Sequence, residues 1–181
     1  VEWWEATMST TADLFRDSSG TVQEIQNFSF HGVNNLTGTF RLGFAGDWTD
    51  YLESSASEET IRIALQSLTT IQSAYVTNNL DLSWTVTFTG DIGNIDDVLE
   101  IDASKMVGAS GNTSVVQHGS APAGYNSFTT ADATDRAYVI QGLTVGQNYN
   151  VRVTCLSEQG YSETRYSVPV ALNPPVQKPA Q

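Results

Sequence analysis

The stretch AYVIQGLTVGQNYNVRV, residues 137–153, decides the fold of this 181-residue chain. Two runs of apolar and β-branched residues flank its two glycines, which is the pattern of two strands joined by a tight corner. In the second run, alternate side chains are predicted to share one buried face of a sheet. They are Tyr149, Val151, Val153 and Cys155. Cys155 is therefore expected to be a small core residue with an inert thiol, and the alternative is a reactive cysteine.

The neighbouring segments extend the β pattern toward both ends of the chain. A glycine turn at residues 159–161 leads into a last strand predicted near residues 164–170. Residues 173–181 contain three prolines and have the composition of an extended linker. At the other end, VEWW at residues 1–4 is strand-like, and residues 5–20 form a polar connection. Because a domain rarely begins inside a strand, we expect the chain to be cut from a longer protein.

The middle of the chain has the pattern of an α+β module. The alternation of apolar with other residues over 39–44 predicts a half-buried strand. Ser55 and Glu58 have capping-box spacing, and the apolar residues that follow predict a helix from about Glu58 to Leu68. Trp84 is expected to lie in the core. Further strands are predicted at residues 74–77, 82–89, 98–101 and 114–117.

Composition and charge limit the classes of function. The chain contains eight Lys and Arg residues and twenty Asp and Glu residues, so its formal net charge is -12. This charge disfavours nucleic acid and anionic membrane surfaces as partners. No run approaches the roughly 20 apolar residues of a membrane span, so membrane insertion is not expected. Only 15% of residues are charged, and Ser, Thr, Asn and Gly are expected to fill the surface positions that Lys and Glu usually occupy. This surface composition favours an extracellular or cell-surface location.

The corner within residues 137–153 resembles the E-to-F corner of a fibronectin type III domain. The resemblance is carried by Leu143, Gly146, Tyr149, Val151 and Val153. It implies that Tyr149 is the tyrosine corner, with its hydroxyl bonded to upstream backbone. Similarly, the turn at residues 160–162 resembles the F-to-G hairpin of that family.

The first four residues are similar to strand C of the same family, which implies a split domain. We therefore predict strand C and a connection at 1–20, an inserted α+β module at 21–118, strands E to G at 119–172 and a linker at 173–181. Strands A and B would then come from sequence before Val1. The fold class expected is mainly β, a fibronectin type III or immunoglobulin-like sandwich part plus one helix packed on a sheet.

The middle module resembles one found in giant extracellular repeat proteins of algae, oomycetes and other protists. In those proteins such modules alternate with fibronectin-like segments. The resemblance rests on residue type and spacing, including the acidic DWTD at residues 47–50 and WTVTF at residues 84–88. It implies a structural role in repeated units rather than a particular activity.

Several loop carboxylates are candidates for calcium binding. They are Asp47 and Asp50 in one loop, and Asp91, Asp96 and Asp97 in another. Carboxylates are the oxygen ligands that calcium requires, but none of these loops matches a defined calcium motif. The preferred interpretation is that they are solvated, and no other cofactor is expected. The two histidines, His31 and His118, lack partners at zinc-ligand spacing.

Three sequons and four tryptophans bear on glycans. The sequons begin at Asn27, Asn35 and Asn112, and Asn35 is the best candidate for glycosylation because it lies in a predicted turn. A carbohydrate-stacking platform would need exposed indoles. Trp84 is expected in the core and Trp48 as a loop anchor, and at most one of the pair at residues 3–4 is expected to be free.

These features favour a non-catalytic structural or adhesive repeat unit of a large extracellular filament protein, such as a mastigoneme-type fibre. Its expected partners are neighbouring repeats, copies of itself and glycans. The alternative is an extracellular module that binds calcium or carbohydrate. An enzyme is not expected, since the sequence contains no nucleophile elbow, no phosphate-binding loop and no Cys paired with a local His.

Overall fold

The computed structural model describes residues 1–6, 21–32, 35–80, 82–132, 134–158 and 160–174. Within them the chain is mainly β, with fourteen strands and one helix. No described helix is long and apolar enough to cross a membrane. The strands are β1 (Glu2–Glu5), β2 (Ile25–His31), β3 (Thr39–Phe44), β4 (Asp47–Trp48), β5 (Leu52–Glu53), β6 (Ala74–Asn78), β7 (Ser83–Phe88), β8 (Glu100–Asp102), β9 (Ser110–Gln117), β10 (Asn126–Ser127), β11 (Tyr149–Val153), β12 (Leu156–Ser157), β13 (Gly160–Tyr161) and β14 (Arg165–Leu172), and the helix is α1 (Glu58–Gln66).

The chain divides into two compact units. Unit 1 comprises Val1–Thr21, Ala121–Cys155 and Glu163–Gln181, and unit 2 comprises Val22–Ser120 and Leu156–Ser162. The inserted module was predicted at residues 21–118, close to the first segment of unit 2. Residues 119–172 were predicted to lie together in the other domain, whereas Leu156–Ser162 belong to unit 2. Most of the predicted connection at 5–20 and of the predicted linker at 173–181, namely residues 7–20 and 175–181, lies outside the described residues.

Unit 2 holds the main apolar core. One antiparallel sheet has the order β6-β7-β2-β9, and a second has the order β4-β3-β5 with β8 also paired to β3. The predicted alternation is present, because Phe40, Leu42 and Phe44 on β3 are all buried. On the first sheet Phe28 pairs with Trp84 across β2 and β7, and their rings stack with centroids 5.2 Å apart. Trp84 is therefore a core residue, as predicted.

Helix α1 packs its apolar stripe into this core and exposes its other side. Ile61 and Leu65 are fully buried, whereas Ile63 lies on the solvent side. The cap is Ser57, whose hydroxyl accepts a hydrogen bond from the Thr60 amide at 3.1 Å. The capping box was predicted to start at Ser55, which is two residues before the observed cap. The helix was predicted to end at about Leu68 and ends at Gln66.

The two ends of the first segment of unit 2 are joined to each other. Val22 and Ser120 form an isolated antiparallel bridge, with N–O distances of 3.1 and 2.8 Å. Close by, the buried Glu24 carboxylate accepts a hydrogen bond from the Gly119 amide at 2.7 Å. The chain therefore enters and leaves this segment at adjacent positions.

Unit 1 is built on one four-stranded antiparallel sheet with the order β10-β1-β11-β14. Strand β1 pairs with β11 from Glu2 opposite Arg152 to Glu5 opposite Tyr149. The pairing of the N-terminal residues with the Tyr149 strand, which the split-domain prediction requires, is thus present. The first strand of the predicted corner, over residues 137–141, is not formed. Those residues pair with no described strand, and Val139 is 73% exposed.

Strand β11 is shorter than its sequence predicts. The register with β14 shifts between Asn150 and Arg152, whereas the register with β1 is continuous from Tyr149 to Arg152. Arg152 is buried beside Glu2, which lies directly opposite it on β1, and Val153 at the end of the strand is exposed. The strand ends at Val153, so Cys155 lies beyond it on the surface. The prediction that Cys155 is a core residue is wrong for this reason.

Candidate functional site

One group of polar and aromatic side chains in unit 2 is organised across three strands. We call it the Arg41 cluster, and it consists of Arg41, Trp48, Tyr51, Asp102 and Lys105. Arg41 pairs with Asp102 across β3 and β8, and Gly43 pairs with Trp48 across β3 and β4. Side chains two apart on a strand share a face, so the strand register places Arg41 beside Trp48.

Gly43 makes room for the indole of the cluster. A Cβ at this position would lie only 2.9 Å from three ring atoms of Trp48. The ring therefore rests directly over the backbone of β3, which a larger residue would prevent. This explains why the alternating strand contains a glycine on its outward face.

Two cations of the cluster lie against its aromatic rings. The guanidinium carbon of Arg41 is 4.8 Å from the Trp48 ring centroid and 5.2 Å from that of Tyr51. Lys105 Nζ is 3.4 Å from the Tyr51 centroid. Such contacts are attractive because the positive charge faces the negative face of the ring. They hold both cations at defined positions on a surface that is otherwise acidic.

Asp102 holds the cluster together. Its Oδ2 accepts hydrogen bonds from Arg41 Nε at 2.9 Å and from the Tyr51 hydroxyl at 3.2 Å. Its Oδ1 accepts one from the Ser104 amide at 3.0 Å. The hydrogen bonds from Ser104, followed by those from Arg41 and Tyr51, hold the pKa of Asp102 well below its usual range.

Asp102 is expected to stay ionised in acid solution. Because its pKa is lower in the folded than in the unfolded state, its contribution to stability is present above about pH 3.9 and is lost as the pH falls through the folded-state pKa. Carboxyl ¹³C shifts followed from pH 7 to pH 2 should show a midpoint below about 3.9. Ser104→Ala should raise that midpoint, and an unchanged midpoint would contradict the role given to Ser104.

Unit 1 contains a nearly buried ion pair. Arg152 Nε and Nη2 donate to Glu2 at 2.7 and 2.9 Å, and the Tyr125 hydroxyl donates to the same carboxylate at 2.7 Å. Burial, and then the Glu2 carboxylate, raise the pKa of Tyr125. Burial opposes the charge on Arg152, but its hydrogen bonds to Glu2 and the Glu2 charge outweigh this and raise the pKa of Arg152. The Arg152 guanidinium also lies 5.8 Å from the Trp4 ring centroid.

The rest of unit 1 exposes an unusual share of apolar side chains. Among the described residues it holds three of the twenty buried apolar residues but nine of the eighteen large apolar residues that are exposed. The exposed ones are Phe128, Tyr138, Val139, Val145, Val153, Tyr166, Val168, Val170 and Leu172, and we call them the apolar set. A sheet with so little buried area is marginal by itself. Exposed apolar side chains that form a contiguous patch are typical of an interaction site.

The Tyr149 hydroxyl accepts a hydrogen bond from the Thr144 backbone amide at 3.0 Å. This is the backbone contact that the fibronectin resemblance implies. The turn between them contains Gly146 with a φ of 83°, a conformation that favours glycine. Leu143 at the start of the corner is half-buried.

Tyr149→Phe is expected to lower the free energy of unfolding of unit 1 by about 1 kcal/mol, because the Thr144 amide loses its acceptor. The measurement is amide hydrogen exchange in β11, which reports the opening of this strand. Tyr138→Phe is the matched control, since its ring is 40% exposed. Equal effects of the two substitutions would show that the hydroxyl of Tyr149 does not stabilise the corner.

The predicted calcium ligands do not come together. Among the described residues, no three His, Cys, Asp or Glu side chains are placed to hold a metal ion. Asp47 instead accepts hydrogen bonds from the amide and hydroxyl of Thr69 at 3.0 and 3.2 Å. Asp96 accepts one from Asn94 at 2.7 Å. Asp50 is exposed, and Asp91 and Asp97 lie in the loop before β8.

The histidines have local partners. His31 Nε2 lies 3.1 Å from Ser29 Oγ, and His118 Nδ1 lies 3.7 Å from the buried Glu24 carboxylate. At most one of the two indoles at residues 3–4 was expected to be free, and both are buried, with Trp3 8% and Trp4 1% exposed. Trp3 packs near Tyr138, which itself stacks on Phe128. On Trp4, the ring of Tyr166 lies 6.3 Å away and the guanidinium of Arg152 lies 5.8 Å from the ring centroid.

The three sequons differ in their accessibility. Asn35 is exposed in a turn and Asn112 is exposed on the edge strand β9. Asn27 lies on the interior strand β2 and donates a hydrogen bond to Ser83 at 2.9 Å. Asn35 and Asn112 therefore present their side chains to solvent, whereas Asn27 is engaged within the sheet.

Four members of the Arg41 cluster were not predicted as site residues. Only Trp48 was considered as a carbohydrate contact, and it was expected to anchor a loop. Arg41 and Asp102 are 61 residues apart, so their pairing depends on the alignment of β3 with β8. The outward position of Arg41 in an alternating strand was the one local indication.

The chain matches no protein-family model, and no curated protein or solved structure is significantly similar to it.

Proposed function

We propose that this chain is a non-catalytic structural or adhesive repeat unit of a large extracellular or cell-surface filament protein, of which a mastigoneme-type fibre is one form. The observation that carries the proposal is the apolar set of unit 1. A sheet that leaves so many apolar side chains in solvent gains stability when further β structure covers it. Each copy of the chain would then depend for its stability on a neighbouring segment or on another copy, as in a fibre.

The strand arrangement of unit 1 supports a fibronectin type III-like part. In that architecture strands C, F and G are adjacent in one sheet. If β1 is strand C, β11 strand F and β14 strand G, the order β1-β11-β14 is the expected one. The bond from the Thr144 amide to the Tyr149 hydroxyl fits the same assignment. Strands A and B would be supplied by preceding sequence.

The closed ends of Val22–Ser120 support an α+β module inserted into that domain. An insertion is tolerated when its first and last residues are close together, because the host strands then need not separate. The bridge between Val22 and Ser120 meets this condition. The module contains one helix, packed with two sheets around a common core.

The surface chemistry supports assembly outside the cell. A net charge of -12 disfavours nucleic acid as a partner. The exposed sequon residues Asn35 and Asn112 are positioned to carry glycans in a secreted protein. The partners proposed are neighbouring repeats or copies of the same protein, together with glycans.

Location can be tested with an antibody raised against this chain and applied to unpermeabilised cells of the source organism. Regularly spaced gold label on surface fibres is expected, together with a parent protein much larger than 19.6 kDa. Mass spectrometry of that parent should find glycan at Asn35. Label confined to the cell interior, or a parent of 19.6 kDa, would overturn the proposal.

Self-association can be tested by sedimentation velocity. The wild-type chain is expected to associate with rising concentration, and the Val139→Ser/Val153→Ser variant is expected to associate less. Val107→Ser is the control, because Val107 is 67% exposed in unit 2. Equal association of all three proteins would argue against the apolar set as a contact surface.

A further inference from the structure

We infer that the Arg41 cluster is a binding site for a neutral saccharide unit of a polysaccharide. The inference concerns unit 2 and involves no side chain of the apolar set. Saccharide binding can therefore fail while the proposed assembly role stands, and the assembly role can fail while saccharide binding stands. Three arguments support it: the free donors of the cluster, its pre-organised geometry and the charge that surrounds it.

Arg41 has hydrogen-bonding capacity that the described part of the protein leaves unused. Its Nε donates to Asp102, and its Nη atoms have no acceptor among the described residues. The Arg41 side chain is 36% exposed, so these donors can reach a ligand in solution. A guanidinium offers a planar fork of donors, which matches two neighbouring oxygen atoms on a sugar ring.

Aromatic surface lies next to these donors. Tyr51 is 38% exposed, and Trp48 is partly exposed over Gly43. A pyranose ring has an apolar face of C–H groups and a rim of hydroxyls, so it can contact an aromatic ring while it accepts hydrogen bonds at its edge. The cluster supplies both kinds of contact at one place.

The geometry of the cluster is fixed before any ligand binds. Asp102 accepts hydrogen bonds from both Arg41 and Tyr51, and the Ser104 amide holds the other oxygen of Asp102. Lys105 Nζ against the Tyr51 ring restrains the aromatic side chain further. Groups that are already ordered lose little conformational entropy on binding, which favours a small ligand with few contacts.

The surrounding charge favours a neutral ligand over an acidic one. The basic side chains of the described part of unit 2 are Arg41, Arg62 and Lys105, and they are outnumbered by Asp and Glu. An acidic polymer would gain attraction at the cluster and meet repulsion around it. A neutral polysaccharide incurs no such repulsion.

The test is affinity electrophoresis of the full chain through gels that contain a soluble β-glucan, a mannan, a xylan or polygalacturonate. We expect retardation by at least one neutral polysaccharide. Tyr51→Ala should weaken that binding about 5- to 10-fold through loss of ring contact. Arg41→Lys, which keeps the charge but removes the fork of donors, should weaken it as well. Tyr75→Ala removes a tyrosine that is 60% exposed outside the cluster and should bind as wild type.

Near-UV circular dichroism and the unfolding midpoint of each variant check that it is folded, and Arg41→Lys remains a test if Tyr51→Ala does not fold. The inference is overturned if no neutral polysaccharide retards the chain, or if both cluster variants bind as wild type. Retardation by polygalacturonate alone would also overturn it and would indicate an anion site. Reduced stability of the cluster variants without any saccharide binding would leave the cluster a purely structural feature.

Discussion

Replacing Arg152 by alanine is expected to lower the free energy of unfolding of unit 1 by about 3–5 kcal/mol. The two side chains of the Glu2–Arg152 pair are 15% and 5% exposed. Removal of Arg152 leaves the Glu2 carboxylate largely out of water, with Tyr125 as its remaining side-chain donor. The loss also removes a cation from the Trp4 ring. A loss this large can unfold a unit that buries few apolar residues.

Hydrogen exchange of the amides in β1 and β11 measures this effect, because Glu2 lies on β1 and Arg152 lies directly opposite it on β11. Two comparisons separate the ion pair from general damage. The double variant Glu2→Gln/Arg152→Met should recover much of the stability, since it leaves no unpaired charge. Arg165→Ala should change stability by less than about 1 kcal/mol, because its ion pair with Glu163 is more than 80% exposed on both sides. Equal losses in Arg152→Ala and Arg165→Ala would contradict the argument.

Phe28→Ala should destabilise unit 2 by about 3–5 kcal/mol. Phe28 is fully buried, stacks on Trp84 and contacts the rings of Phe30 and Phe40. Truncation removes the transfer free energy of the ring and leaves a cavity between the two sheets. The surrounding aromatic rings are themselves packed and have little freedom to fill it.

Denaturant unfolding followed by tryptophan emission is the measurement for Phe28→Ala. Trp84 reports directly on the site, since its ring lies against Phe28. Val107→Ala provides the control at a residue 67% exposed, with an expected change of about 0.5 kcal/mol or less. A similar midpoint shift for both variants would mean that this aromatic group does not form the core of unit 2.

Local sequence patterns were sufficient for the elements whose partners lie close in the core. In β3 and in the strand that contains Trp84, one face is buried in the core. That burial is visible in the sequence as apolar residues at alternate positions, so both strands could be predicted. The helix start near Glu58 was predicted correctly, but its cap was misplaced, because Ser55 and Ser57 are equally good caps by residue type. The hydrogen bond from Thr60 decides between them, and the spacing of Glu58 alone does not.

The remaining errors come from contacts that no local pattern contains. The run at residues 137–141 is strand-like, but a strand needs a partner and none of the described strands provides one. Arg152 looks like an outward polar residue, but the pairing of β1 with β11 places Glu2 directly opposite it, and the two side chains are buried together. The Arg41 cluster depends on the alignment of β3 with β4 and β8, which brings Arg41 to Asp102. Sequence predicts the strands but not which positions stand opposite each other.

The bridge between Val22 and Ser120 also bears on the order in which the chain folds. The Glu2–Arg152 contact joins residues 150 positions apart, so it cannot form until Arg152 has been synthesised. Val22–Ser120 is continuous and is complete much earlier. Once it has folded, its joined ends act as a short link in place of about a hundred residues. The loop that unit 1 must close then costs about 1 kcal/mol less in chain entropy, so prior folding of Val22–Ser120 favours the pairing of β1 with β11.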